Sequence, residues 1–125
     1  MGHGISCLKD LDPDDCIPPF TPYVVMRVGT VGLLSYVNPR DPKGGDLITA
    51  LQGAHAAVLL ANHGPVVSGK DLLSAVCAAK ELEEVAKLMM ATRGQKTPLL
   101  SQEDVADLRR SGWSIGREAP AAASC

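Results

Sequence analysis

The chemistry in this sequence centres on Asn62-His63-Gly64-Pro65, which interrupts a run of apolar residues. An imidazole can ligate a metal, and it can act as an acid or base near neutral pH. Gly64 lets other backbone come close, so the His63 ring nitrogen can be presented into a cleft. The alternative is a structural histidine whose ring bonds a carbonyl in a tight turn. The local sequence leaves both interpretations open.

The residues around this segment predict a strand that ends at the histidine and a long helix beyond it. Residues 57–61 (AVLLA) are continuously apolar, which is typical of a strand covered on both faces. Asp71 is the predicted N-cap of the helix. Six residues at helical spacing predict its buried face: Leu72, Val76, Ala79, Glu83, Ala86 and Met90. A capping box over residues 101–104 predicts a further short helix to Arg110.

The front of the chain favours strands. Residues 23–28 (YVVMRV) are rich in β-branched residues and predict a strand, and residues 31–37 predict a weaker one. Gly29-Thr30 makes a short, hairpin-like link between them possible. Residues 46–52 predict a short helix. Strands and helices in this order indicate an α/β layered arrangement.

Composition excludes several classes of protein. The chain has 125 residues, 46% of them hydrophobic, which indicates one modest domain. The chain has 12 Lys+Arg against 14 Asp+Glu and no basic run, so the sequence does not indicate a nucleic-acid-binding protein. No apolar run approaches the roughly 20 residues that span a bilayer, and no signal peptide is visible, so we expect a cytoplasmic location. The spacing of His3, Cys7 and Cys16 matches no zinc-site pattern.

Three longer stretches carry a family resemblance. AVLLANHGPVVSGKDLLSAVCAAKELEEVAKL, residues 57–88, resembles the C-terminal signature region of the class II aldolase/adducin family, and TPLLSQEDVADLRR resembles that family's closing segment. The front, SCLKDLDPDDCIPPFTPYVVMRVG, more narrowly resembles a sugar-acid branch, the 3-oxo-tetronate 4-phosphate decarboxylases. The similarity runs from about Gly4 to Arg110, nearly the whole chain.

The resemblance implies an α/β fold with a three-layer class II aldolase/adducin-like sheet and flanking helices. Here it would be a partial domain over residues 1–110, followed by a flexible tail over residues 111–125. The implied activity is that of a metal-dependent lyase, which cleaves or decarboxylates a phosphorylated sugar or sugar acid through a metal-stabilised enediolate. Zinc or another divalent metal would be bound by three histidines, and His63 matches the one in the family's His-Gly turn. The resemblance also implies a homo-oligomer, a tetramer in the family, or pairing with a full-length paralogue.

Two further features bear on this activity. Tyr23 matches a tyrosine that in related aldolases reaches a neighbouring subunit's site as a proton donor; the alternative is a strand-edge aromatic. Arg27 and Lys70 would favour an anionic substrate, or are solvated surface charges. The family's His-x-His pair, catalytic glutamate and phosphate-binding loops have no counterpart here, and His3 is out of register for the pair. We therefore expect a truncated chain that is inactive alone; the alternative is a non-catalytic, adducin-like oligomerisation or binding module, or a gene fragment.

Overall fold

A small sheet flanked by helices makes up the part of the chain that this computed structural model describes, which is Gly4 and residues 6–8, 10–52 and 55–111. The elements are, in chain order, α1 (Pro22–Arg27), β1 (Val31–Leu34), α2 (Lys43–Gln52), β2 (Ala57–Leu60), β3 (Gly64–Val67), α3 (Leu72–Ala91) and α4 (Gln102–Arg110). The α/β class expected from the sequence is therefore confirmed.

The three strands lie in the order β1-β2-β3. β1 and β2 are parallel, with Leu34 opposite Leu60, and α2 provides the crossover that a parallel pair requires. β2 and β3 are antiparallel, with Leu60 opposite Gly64. The carboxyl ends of β1 and β2 thus meet at one edge of the sheet, and the turn that carries His63 starts there.

Residues 13–16 cover the outer edge of β1. The Cys16 N–H donates to the Val31 carbonyl at 2.9 Å, and the Leu33 N–H donates to the Pro13 carbonyl at 2.8 Å. The Val31 N–H donates to the Asp15 carboxylate at 3.2 Å. These bonds satisfy backbone groups that an open edge strand would leave unpaired.

The hydrophobic core lies between one face of the sheet and helices α1 and α3. Ala57 and Leu59 of β2 belong to it, whereas Val58 points to the other face and is equally buried, all three at 0% exposure. The prediction that this strand is covered on both faces is confirmed. The remaining buried members are Cys16, Ile17, Val24, Val28, Val31, Ala78, Leu82, Val85 and Ala86.

The predicted strand over residues 23–28 is wrong, because this segment is helix α1. Thr21 is its N-cap, with the Val24 N–H donating to the Thr21 hydroxyl at 3.3 Å, and Pro22 occupies the first turn. Val24 and Val28, four residues apart, both enter the core. Burial of that helical stripe outweighs the strand preference of β-branched residues, which is weak and depends on context.

The predicted hairpin at Gly29-Thr30 is also wrong, because β1 follows a helix and pairs with β2. Gly29 has a φ of 74° and its N–H donates to the Val24 carbonyl at 2.9 Å. A glycine in this left-handed conformation ends a helix, as glycine commonly does just past the last turn. β1 itself covers residues 31–34 of the predicted 31–37.

The start of the long helix was predicted correctly and its buried face in part. Asp71 caps α3 through a capping box with Ser74, as its sequence position suggested. The buried residues are Ala78, Leu82, Val85 and Ala86. Of the predicted face, Ala86 is buried and Met90 packs against the core, whereas Leu72 is 82% exposed. α3 carries two apolar stripes, and packing against α1 and the sheet selects the one through Leu82 and Val85.

Two earlier expectations fall on residues outside the described part. His3 lies there, and so does the predicted flexible tail from Gly112 onward. Among the described residues, no helix has both the length and the apolar character needed to cross a membrane.

Candidate functional site

His63 lies in a three-residue turn between β2 and β3. The His63 N–H donates to the Leu60 carbonyl at 3.0 Å, which closes the turn. Asn62, just before it, has a φ of 58°, and a short loop with one left-handed residue is a standard hairpin connection. Because β2 is buried, the backbone that carries His63 starts from a fixed position.

Two distant segments hold the same turn. The Ala61 N–H donates to the Leu34 carbonyl at the end of β1, and the Asn62 N–H donates to the Ser6 carbonyl, both at 2.9 Å. The Asn62 side-chain amide also lies 3.7 Å from the Cys7 sulfur. These hydrogen bonds hold the backbone just before His63 in a fixed position.

A cavity of about 460 Å³ opens between this turn and the loop from β1 to α2. Its volume falls in the range that small-molecule sites occupy. Residues of this loop and of the first turns of α2 line it together with the ends of β1 and β2 and the His63 turn. The lining residues are Leu34, Ser35, Tyr36, Val37, Asn38, Pro39, Asp41, Gly44, Gly45, Ile48, Leu60, Ala61, Asn62 and His63.

The polar lining of the cavity suits hydroxyl and carbonyl groups. Ser35, Tyr36, Asn38 and Asn62 offer neutral donors and acceptors, and Asp41 contributes a carboxylate. That carboxylate accepts the Lys43 N–H at 2.9 Å and so begins α2. Of the described residues that line the cavity, none is a lysine or an arginine. An anionic group of a ligand would therefore need a cation from elsewhere.

The described residues do not complete a metal site. His63 is exposed, so its imidazole is free of the core and chemically suited to be one ligand. Across Gly4 and the described ranges, no group of three His, Cys, Asp or Glu side chains is close enough together to hold a metal ion. We therefore assign no reaction step to a metal on these residues.

Tyr23 lies on α1 and not in the His63 cavity. Its side chain is 53% exposed, and the Arg27 guanidinium carbon lies 5.6 Å from the centre of its ring. The two residues are four apart on the helix, which brings their side chains together. The predicted site residues His63 and Tyr23 are thus not assembled within one pocket of the described chain.

Arg27 is not a solvated surface charge, which was one of the two alternatives that the sequence left open. Its side chain is 22% exposed, and its Nη1 lies 4.0 Å from a Glu81 carboxylate oxygen on α3. Its Nε is buried and has no hydrogen-bond partner within the described part of the chain. A buried donor left without an acceptor costs about 1–3 kcal/mol. Lys70, by contrast, is exposed in the loop before α3.

Sequence reasoning missed the cavity wall and the contact between Tyr23 and Arg27. A strand places residues four apart on the same face but far from each other, so the contact appears once the segment is helical. The signal was Thr21 followed by Pro22, a helix start. The cavity wall has no comparable signal, because it depends on how the loop folds over β2.

The profile of the Class II Aldolase and Adducin N-terminal domain matches residues 4–90, which include β2, the His63 turn and almost all of α3. The chain belongs to the class II aldolase and adducin family. The match covers well over half of the sequence, so the resemblance inferred from the residues is confirmed at family level.

The curated relatives of this family member carry a decarboxylase name. The 3-oxo-tetronate 4-phosphate decarboxylase of Pectobacterium atrosepticum is 48% identical over 104 residues, 83% of this chain and 48% of that protein. The enzyme of the same name from Haemophilus influenzae is 46% identical over 108 residues, 86% of this chain and 51% of that protein. The chain thus spans about half the length of the curated relatives it matches.

Solved structures agree with the fold. YgbL from Klebsiella pneumoniae is 44% identical, with a TM-score of 0.83 over 86% of this chain and 52% of its own. An L-fuculose 1-phosphate aldolase is 22% identical, with a TM-score of 0.70 over 89% of this chain and 50% of its own. The second similarity, at this identity, supports the class II aldolase fold alone.

Proposed function

We propose that this chain forms part of a metal-dependent lyase of the class II aldolase type that decarboxylates a phosphorylated sugar acid. The name shared by its curated relatives supports this substrate class. The observation that carries the proposal is the position of His63, on a hydrogen-bonded turn that lines a 460 Å³ cavity, with several polar side chains among apolar ones. A ligand on such a turn is held with little freedom to move.

In this proposal His63 contributes one nitrogen ligand to a divalent metal, which we take to be zinc. The metal, when bound, supplies positive charge that stabilises a negative oxygen of the reacting sugar acid. The chain's own cavity orients the neutral part of the substrate through Ser35, Asn38 and Asn62. Because the described residues supply one imidazole of such a site, the remaining ligands come from elsewhere, and we expect no turnover by this chain alone.

Tyr23 acts, in the same proposal, at the site of a second copy. Loss of carbon dioxide leaves the electron pair of the broken C–C bond on the neighbouring carbon. The phenol O–H then breaks, its proton forms the new C–H bond, and the phenolate regains a proton from water. The exposure of Tyr23 on the outside of α1 is compatible with reaching another subunit. Tyr36 lines the His63 cavity of the same chain, whereas Tyr23 does not, so Tyr36 is the tyrosine with which the role of Tyr23 is to be compared.

A zinc titration against a chromophoric chelator tests the metal-binding part of this proposal. Because the described residues supply one imidazole, we expect the wild-type chain to take only a small share of the zinc from the chelator and the His63→Ala variant to take still less. His55→Ala is the matched control, because the His55 ring is tied to the Thr30 hydroxyl at 3.0 Å and is not a cavity residue. Equal zinc binding by wild type and His63→Ala would show that His63 is not a zinc ligand.

A non-catalytic oligomerisation or binding role is the second candidate. The observation that favours it is the run of apolar side chains exposed at the start of α3, Leu72, Leu73 and Val76, at 82%, 62% and 41% exposure. Light scattering on wild type and His63→Ala, with zinc and with a chelator, separates the two functions. Self-association of a chain that binds no zinc, unchanged by His63→Ala, would favour the binding module, because the lyase also needs a second copy but requires the metal.

A further inference from the structure

We propose that Arg27 is a positioning residue that fixes the orientation of the Tyr23 phenol, with Glu81 holding Arg27 from the opposite side. The inference deepens the proposed function and rests on it, because that function gives Tyr23 a proton-transfer role. The contacts run from Glu81 on α3 to Arg27 on α1, and from Arg27 to the exposed Tyr23 ring.

Tyr23 itself has little around it to set its orientation. It lies in the first turn of a helix of six residues and is 53% exposed. Within the described part of the chain, the recorded contact to its ring is the Arg27 guanidinium, whose carbon lies 5.6 Å from the ring centre. A cation over an aromatic face is attracted by the ring's negative surface, which favours one ring orientation over others.

Arg27, in contrast to Tyr23, is confined. Its side chain is 22% exposed and its Nη1 lies 4.0 Å from the Glu81 carboxylate, whose own side chain is 18% exposed. α1 packs against both α3 and α4, so the guanidinium has helices close to it. The planar group therefore has a restricted set of positions from which to contact the ring.

Stability alone does not account for this arrangement. Among the described residues the Arg27 Nε is buried without an acceptor, and the 4.0 Å between its Nη1 and the Glu81 carboxylate is beyond hydrogen-bond distance. An arginine whose role was to stabilise the fold would be expected to satisfy its donors in water or on a partner. Buried donors without partners in native proteins call for an explanation, and functional sites are among the places where they occur.

Positioning has a direct consequence for proton transfer. A proton donor has to lie within hydrogen-bond reach of the atom it protonates, so a ring that samples many orientations is a poor donor. The guanidinium also keeps positive charge 5.6 Å from the centre of a ring that becomes negative when the phenol gives up its proton. Arg27 does both without touching the reacting atoms, which makes it a positioning residue.

Ring dynamics of the two tyrosines test the inference on the intact chain without metal or substrate. The chain contains two tyrosines, and Tyr36, at 64% exposure, is an internal reference in the same sample. We expect ¹³C relaxation of labelled rings to show a more ordered Tyr23 than Tyr36. In Arg27→Met, which keeps the length of the side chain but not the charge, Tyr23 should lose that order and match Tyr36.

Two further variants separate positioning from a merely structural role. Arg27→Lys keeps the cation and should restore part of the Tyr23 order, and Glu81→Gln should lower it by loosening Arg27. A fall in melting temperature with unchanged Tyr23 order in Arg27→Met would overturn the inference, and so would a wild-type Tyr23 as mobile as Tyr36. Failure of the zinc titration at His63 would instead overturn the proposed function and leave the ring-order result unaffected.

Discussion

The Asn62 N–H donates a hydrogen bond to the Ser6 carbonyl at 2.9 Å, so the turn that carries His63 is tied to a segment near the start of the chain. Ser6 is buried, at 2% exposure, which makes it a fixed anchor. Together with the bond from Ala61 to Leu34, this contact sets the path of the backbone just before the histidine. The position of His63 therefore depends on Asn62 keeping its left-handed conformation.

Replacing Asn62 should disturb both the turn and the metal ligand. Ala lacks the short polar side chain that lets asparagine adopt a φ of 58° at low cost, so we expect Asn62→Ala to lower the free energy of unfolding by about 1 kcal/mol. We also expect it to weaken zinc binding, because His63 loses its fixed support. Asn62→Gly tolerates this φ and is the control that should retain zinc binding. Urea unfolding and the chelator titration measure the two effects, and equal behaviour of both variants would contradict the argument.

The buried face of α3 can be tested with two leucines on the same helix. Leu82 is 1% exposed in the core, so Leu82→Ala should lower the free energy of unfolding by about 2–5 kcal/mol. Leu72 is 82% exposed, and Leu72→Ala should change it by about 0.5 kcal/mol or less. Denaturant unfolding of the two variants in parallel gives the comparison. If Leu72→Ala lowered the free energy of unfolding more than Leu82→Ala does, the helix would bury the face that the spacing first indicated.

Comparison of sequence and structure shows which signals were decisive. Continuous apolar residues identified β2, and Asp71 and Ser101 identified the starts of α3 and α4 because capping depends on local chemistry. The His63 turn followed from an interrupted apolar run. These features need no knowledge of distant partners, and the structure confirms them.

The errors arose where distant packing decides the outcome. Residues 22–27 are helical because Thr21 and Pro22 start a helix and because Val24 and Val28 fill the core beside α3; the sequence carries the first signal but not the second. The partly wrong face of α3 also comes from packing, since both stripes are apolar in sequence. The contact between Arg27 and Tyr23 and the cavity beside His63 could not be predicted, because each requires the helix and loop to be placed first.

Asp15 gives the stability a pH dependence. Burial is the largest cause and raises the pKa of its carboxyl, although the Val31 N–H bond opposes the shift. The folded state therefore keeps the proton over a pH range in which the unfolded chain has lost it. The free energy of unfolding consequently falls as pH rises from about 3.9, the ordinary pKa of an aspartate, through the folded pKa.

Asp15→Asn should remove this contribution. The amide oxygen can still accept the Val31 N–H, but the side chain no longer titrates. We expect the variant to gain stability relative to wild type as the pH is raised, measured by urea unfolding at several pH values. Asp46→Asn, at an exposed position, controls for the loss of one negative charge. If the wild type instead became more stable relative to Asp15→Asn as the pH rises, the predicted direction of the pH dependence would be wrong.

Two free cysteines in the described residues should differ sharply in reactivity. Cys7 is exposed, whereas Cys16 is 2% exposed in the core and burial raises the pKa of its thiol to about 12. At pH 8 roughly one Cys16 thiol in ten thousand is then ionised, and the thiolate is the reactive form. We expect iodoacetamide to label Cys7 at least about 100-fold faster, as read by peptide mass spectrometry. Cys7→Ser should abolish the fast labelling, and urea should release Cys16. Equal labelling of both residues in the folded chain would mean that the segment carrying Cys16 opens readily and does not cover the edge of β1.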